Sequence, residues 1–152
     1  MDETYIKVKG KWVYLYRAVD KYGDTIDFML RAKRDKRAAK AFFKKAIKSS
    51  GQPIKVNIDK SGSNTSTLNS IHKPLSKEDQ IEIRQNKYLN NRIEGDNRFI
   101  KKRTRPMLGF KSFRSTAKTI AEIELLHMIK KGQLADNDNY NSEFDTFLLL
   151  AA

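Results

Sequence analysis

Hydrophobic and polar positions change period along this chain, and the changes mark its elements. Residues 4–9, TYIKVK, alternate polar and apolar, the pattern of a strand with one buried face. Lys9 and Gly10 signal a turn, and residues 12–19, WVYLYRAV, are aromatic and β-branched, which predicts a second strand. DKYGD at 20–24 makes another turn, and residues 25–30, TIDFML, a third strand. Two short turns imply an antiparallel meander. From residue 34 to 48 the apolar pairs Ala38/Ala39, Phe42/Phe43 and Ala46/Ile47 recur every three to four positions, predicting an amphipathic helix that Gly51 ends. IKVNI at 54–58 reads as a short strand stopping at Asp59, residues 65–71 as a short helix, and QIEIRQ at 80–85 as a fifth strand. A helix is expected from the capping pair Asn90-Asn91 to about Lys102, broken by Pro106 and Gly109. A longer one follows over residues 112–131, with the stripe Phe113, Ala117, Ile120, Ala121, Leu125, Met128 and Ile129, and Gly132 stops it. A meander followed by strand–helix alternation predicts an α/β protein, a mixed sheet covered by helices. Trp12, Tyr14 and Tyr16 are expected to pack the sheet.

Composition narrows the function. The 152 residues fit one domain and hold 15 aromatics (8 Phe, 6 Tyr, 1 Trp), too many for a disordered basic tail. The absence of cysteine excludes disulfides, thiolate-bound metal and thiol catalysis. No apolar run approaches a membrane span, and the first residues do not read as a signal or transit peptide, so a soluble, cytoplasmic protein with no membrane partner is expected. The formal charge is +13, and it is unevenly placed. Residues 133–152 carry no Lys or Arg and four acids, so residues 1–131 set 31 basic groups against 14 acidic ones, a net +17. Residues 98–118 hold Arg98, Lys101, Lys102, Arg103, Arg105, Lys111, Arg114 and Lys118 with no acid among them. Such a run is a solvated face or a phosphate-binding surface, and a polyanion, nucleic acid first, is the expected partner.

Few residues offer catalysis. His72 and His127 are far apart, and His127 lies beside core positions of the long helix, which suggests a structural role. No nucleophile elbow, phosphate-binding loop or dinucleotide fingerprint is present. The acids are more suggestive. Asp2 opens the first strand, Asp59 follows the fourth, and Glu94 lies in the helix that starts at Asn90-Asn91. Strand ends are where such sheets place ligand sites. Converging carboxylates repel each other unless a cation holds them, and Mg²⁺ takes such oxygen ligands together with substrate phosphates. Paired ions serve phosphodiester chemistry. Spacing alone does not select these three among 18 acids.

The blocks DETYIKVKGKWVYLYRAVD, VNIDKSGSN and KYLNNRIEGDNRFIKKR do select them, because they resemble a DDE transposase, closest to the bacterial insertion-sequence transposases of family six. The likeness covers residues 2–132, and 34 residues separate Asp59 from Glu94, as is usual in that class. The resemblance implies an RNase H-like fold, a five-strand mixed sheet of order 3-2-1-4-5 flanked by helices. It implies a catalytic and metal-binding triad of Asp2, Asp59 and Glu94, holding Mg²⁺ or Mn²⁺, with two ions expected. It places a basic residue seven positions beyond the glutamate, here Lys101, which lies about 10.5 Å along the helix axis on the same side. Lys60, Arg98, Lys101, Lys102, Arg103, Arg105 and Lys111 are the expected DNA contacts. The implied reaction is metal-dependent DNA strand cleavage and strand transfer during transposition, on element ends and target DNA, in a bacterial cytoplasm, by a homo-oligomer when full length. The expected organisation is a catalytic core at 1–132, without the family's N-terminal helix-turn-helix, and an acidic tail at 133–152. The family usually reads E-x-D-H where this chain has Glu94-Gly95-Asp96-Asn97. The alternatives are an inactive transposase remnant that binds DNA nonspecifically, and an unrelated basic nucleic-acid-binding module.

Overall fold

The computed structural model of the chain describes residues 1–58, 62–72, 80–85, 91–107 and 109–133. Strands β1 (Asp2–Val8), β2 (Lys11–Val19) and β3 (Thr25–Arg31) form the expected antiparallel meander in the order β1-β2-β3. Lys9 and Gly10, both with positive φ (49° and 76°), make the two-residue turn whose twist suits a tight hairpin, so Val8 pairs with Lys11. The second turn is held by one side chain. Asp20 Oδ1 accepts from the backbone N–H groups of Tyr22, Gly23 and Asp24 at 2.8, 2.8 and 2.9 Å.

Helix α1 (Lys36–Ser50) begins where Asp35 caps it, accepting from the Ala38 N–H at 2.8 Å, and ends at Gly51, whose φ of 79° leaves the helix. Strand β4 (Lys55–Asn57) leads through α2 (Gly62–His72) to β5 (Glu82–Arg84), which pairs with β4 in parallel. Helix α3 (Asn91–Thr104) passes into a 3₁₀ turn at Arg105–Met107, and α4 (Phe113–Lys130) starts at the cap Ser112. No helix among the described residues is long and apolar enough to cross a membrane.

Alternation along β2 builds two cores on opposite faces of the meander. Tyr16 packs with Ala39, Phe42 and Phe43 of α1, with Leu68 of α2, and with Ile58. Val13 and Leu15 face the other way, joining Ile6 and Val8 of β1 to Ile100 of α3 and to Ile120 and Ile123 of α4. The result is a mixed α/β arrangement of helix, sheet and helix layers. Burial and the nearby Glu3 carboxylate push the Tyr16 hydroxyl up to about 12, so it stays protonated.

Three expectations change. The single five-strand sheet of order 3-2-1-4-5 is not seen among the described residues, whose strands make a three-stranded and a two-stranded sheet. Strands β4 and β5 have three residues each, and the described backbone joins β1 to β4 through one hydrogen bond, Met1 N to Asn57 O at 2.8 Å, too little for a ladder. Trp12 does not pack the sheet. It is 59% exposed, because α1 covers the Tyr16 end of that face and stops short of the hairpin, while Tyr14 is half-buried. The buried side of α4 is Thr116, Ile120, Ile123, Glu124, His127 and Ile129, whereas Phe113, Ala121 and Leu125 of the expected stripe are exposed. The helix is rotated because its inner face carries a carboxylate and an imidazole that have partners. The acidic tail expected at 133–152 lies outside the described residues from 134 onward.

Candidate active site

Arg17 stands at the centre of the site and is fully buried. It occupies the inward position that follows Val13 and Leu15 on β2, so the pleat drives a guanidinium between the sheet and helices α3 and α4. Its Nε and NH2 donate to both oxygens of Glu124 at 2.6 and 2.8 Å, a two-pronged pair in which neither side chain is exposed. NH2 also reaches Asp96 Oδ2 at 2.9 Å, and NH1 reaches Asn97 Oδ1 at 3.2 Å. Asp96 in turn meets His127 Nε2 at 2.8 Å and the Lys131 ammonium at 2.9 Å. His127 stacks on Phe99, ring centroids 3.8 Å apart, so its ring is held between α3 and α4.

This network reaches Asp2. With its oxygen held by Arg17, the Asn97 amide must present its N–H side outward, and Nδ2 donates to Asp2 Oδ2 at 2.8 Å. One turn before Asn97 on the same helix lies Glu94, exposed and making no hydrogen bond or ion pair with a described residue. At the same end of β1, Met1 bonds Asn57, the last residue of β4. Asp59 and Lys60 follow two and three residues later and lie outside the described residues. Among the described residues alone, no group of three carboxylates or imidazoles could hold a metal.

The expected DNA contacts distribute unevenly. Glu94, Arg98, Lys101 and Arg105 recur at spacings that share one side of α3 and its 3₁₀ extension, with Arg98 and Arg105 exposed and Lys101 half-buried. Lys102 and Lys111 are exposed. Arg103 lies half-buried over the Phe99 ring, 4.4 Å from its centroid.

A family model described as a DDE domain matches residues 1–133. The transposase for insertion sequence-like element IS431mec of Staphylococcus aureus is 41% identical over 132 residues, 86% of this chain and 57% of that protein. The chain belongs to the DDE transposases of insertion-sequence family six. The transposase for element IS257 in transposon Tn4003, also of Staphylococcus aureus, shows the same identity and coverage. An uncharacterized protein, pYV0051 of Yersinia pseudotuberculosis, is 47% identical over 66 residues, 41% of this chain and 62% of that one. No solved structure matches the chain. This DDE transposase chain thus spans 57% of the length of the transposases it matches.

Sequence reading of this transposase overlooked Arg17, Asp96 and Glu124 as a unit. One signal was available: Arg17 sits in register with Val13 and Leu15, and a charge on an otherwise apolar face calls for a partner. At Asp96, burial alone would raise the carboxyl. The hydrogen bonds from His127 and Lys131 and the charge of Arg17 outweigh it and hold the group well below the ordinary carboxylate range. A depressed folded-state value means that its stabilisation is full above the unfolded value, about pH 4, and is lost as pH falls toward the folded one. Stability of this transposase chain should therefore fall between pH 5 and pH 2. Asp96→Asn should lower the urea midpoint at pH 6 and flatten that acid slope. An unchanged slope in the variant would assign the acid sensitivity to other carboxylates.

Proposed function

We propose that this chain is the catalytic core of an insertion-sequence transposase, performing metal-dependent DNA strand cleavage and strand transfer. One observation carries the reading: Asn97, a single turn from Glu94, is bonded to Asp2, while the neighbouring Met1 is bonded to the end of β4, just before Asp59. The reading is supported because Asn97, bonded to Asp2, shares a helix turn with Glu94, and the described part of β4 meets Met1 two residues before Asp59. In the RNase H-like arrangement proposed here, that Met1–Asn57 bond marks where β1 and β4 adjoin in the 3-2-1-4-5 order. Residues 1–132 form the proposed core and 133–152 its acidic tail.

The donors suit hard divalent cations, since Asp2 and Glu94 offer carboxylate oxygens and Glu94 is exposed with no cation among the described residues paired to it. Asp2, Asp59 and Glu94 would hold Mg²⁺ or Mn²⁺. Bound there, two ions would activate the attacking water or 3′-hydroxyl and stabilise the departing oxygen. Asn97 orients Asp2. Lys101 and Arg98, on the Glu94 side of α3, would hold the phosphates of the cleaved strand, and Lys60, Lys102, Arg103, Arg105 and Lys111 would extend the DNA contact. Element ends and target DNA are the proposed substrates, and the full-length protein is proposed to act as a homo-oligomer.

The test is product formation from a DNA carrying a cognate element end. Cleaved and joined strands should form with Mg²⁺ or Mn²⁺ and vanish with chelator. DNA binding without any product in either metal would instead favour a remnant that only binds.

A further inference from the structure

Trp12 is the single tryptophan of the chain and lies 59% exposed at the tip of the β1–β2 hairpin. Opposite it in register is Lys7, and Tyr5, 48% exposed, stands beside it. The two rings meet edge-on at 73° with centroids 6.3 Å apart, and the Lys7 ammonium lies 5.8 Å from the indole centroid, a cation already at the aromatic surface. These side chains wall one side of a cleft of about 430 Å³ at the edge of β1. The end of α3 supplies the other wall, with Lys101, Thr104 and Arg105. That volume lies within the ordinary range of small-ligand sites. Among the described residues no acid lines the cleft, and the hairpin that carries Trp12 also carries Lys9 and Lys11.

Exposed large aromatics grouped in one place mark a contact surface, and the cations around them select an anion with an apolar, flat part. A nucleotide has both. We propose that this cleft takes an unpaired nucleotide, its base stacked on Trp12 with Tyr5 at its edge and its phosphates held by Lys101 and Arg105. Base-paired DNA satisfies the cations but not the indole, because the faces of its bases are already covered by their neighbours. Single strands bind where aromatic platforms adjoin basic grooves. Position agrees with this occupant. Lys101 lies about 10.5 Å along α3 from Glu94. A strand crossing Glu94 would reach the cleft within about three nucleotides at 3.4 Å each. The proposal deepens the reading of the chain as a DNA-processing core and adds that strands near the scissile phosphate are held unpaired.

Binding is measured on the full chain in chelator, so that cleavage plays no part and failure of the catalytic reading leaves the result untouched. Oligonucleotides with a blunt end and with a short single-stranded 3′ overhang are titrated while the emission of Trp12 is followed. The overhang should quench it strongly and the blunt duplex weakly. By anisotropy of labelled DNA, Trp12→Ala should weaken overhang binding about 10-fold and leave blunt duplex binding unchanged. Trp12 is exposed, so the variant should fold, and a matching circular dichroism spectrum checks this. Equal quenching by both DNAs overturns the proposal, as does equal affinity of the variant for the overhang. DNA binding with no change in Trp12 emission also overturns it and leaves the cleft to a polypeptide partner.

Discussion

Glu124→Gln should destabilise the fold by about 3–5 kcal/mol, the cost of stranding one member of a buried ion pair. The pair joins β2 to α4, and both side chains are fully enclosed. The variant keeps the shape and one acceptor oxygen but leaves the Arg17 charge balanced by Asp96 alone, which is also engaged by His127 and Lys131. For a chain of this size a loss on that scale lowers the melting temperature by on the order of 10 °C. Calorimetry or thermal circular dichroism measures it. The double change Arg17→Met with Glu124→Leu should recover a large part of the loss, because apolar side chains of similar volume remove the uncompensated charge and its desolvation cost together. A melting temperature for Glu124→Gln within 2 °C of the parent would mean that water reaches Arg17.

This pair also shows what the sequence could and could not disclose. The meander was legible because alternation, aromatic content and the Lys9-Gly10 turn all agree on strands β1 and β2. Helix α1 was legible from its periodic apolar face and its terminating Gly51, while its cap, Asp35, emerged only in the fold. Helix α4 was found but set at the wrong rotation, because hydrophobicity alone cannot know that Glu124 and His127 are drawn inward by Arg17 and Asp96. Strands of three residues such as β4 and β5 carry too little pattern to fix how they join a sheet. For the site, no period or composition picked Asp2 out of 18 acids, and the resemblance of three blocks did so. The resemblance flagged Asn97 as a departure from the usual histidine. Only the fold discloses what that residue does, because Arg17 on β2 and Asp2 on β1 meet it from a separate part of the chain.

Asp2→Asn and Glu94→Gln should each lower metal-dependent cleavage and strand transfer by more than about 10³-fold, the scale for removing a group that stabilises transition-state charge. The two variants differ in what else they disturb, and the difference separates chemistry from folding. Glu94 is exposed and has no partner among the described residues, so its neutral isostere should leave stability within about 0.5 kcal/mol. It should also leave DNA affinity in chelator unchanged or slightly tighter, since one carboxylate fewer faces the phosphates beside Arg98 and Lys101. Asp2 is half-buried against Asn97, whose amide still finds an oxygen on an asparagine at position 2, so that variant should fold but melt somewhat lower. Asn97→Asp tests the link between them. It sets a carboxylate against Asp2 while retaining an acceptor for Arg17, so the Asp2 side chain should turn away and activity fall with little loss of DNA binding. A Glu94→Gln protein that cleaves at the parent rate would remove Glu94 from the catalytic set. The loss expected is in chemistry alone: stability and DNA affinity should stay near those of the parent while product disappears.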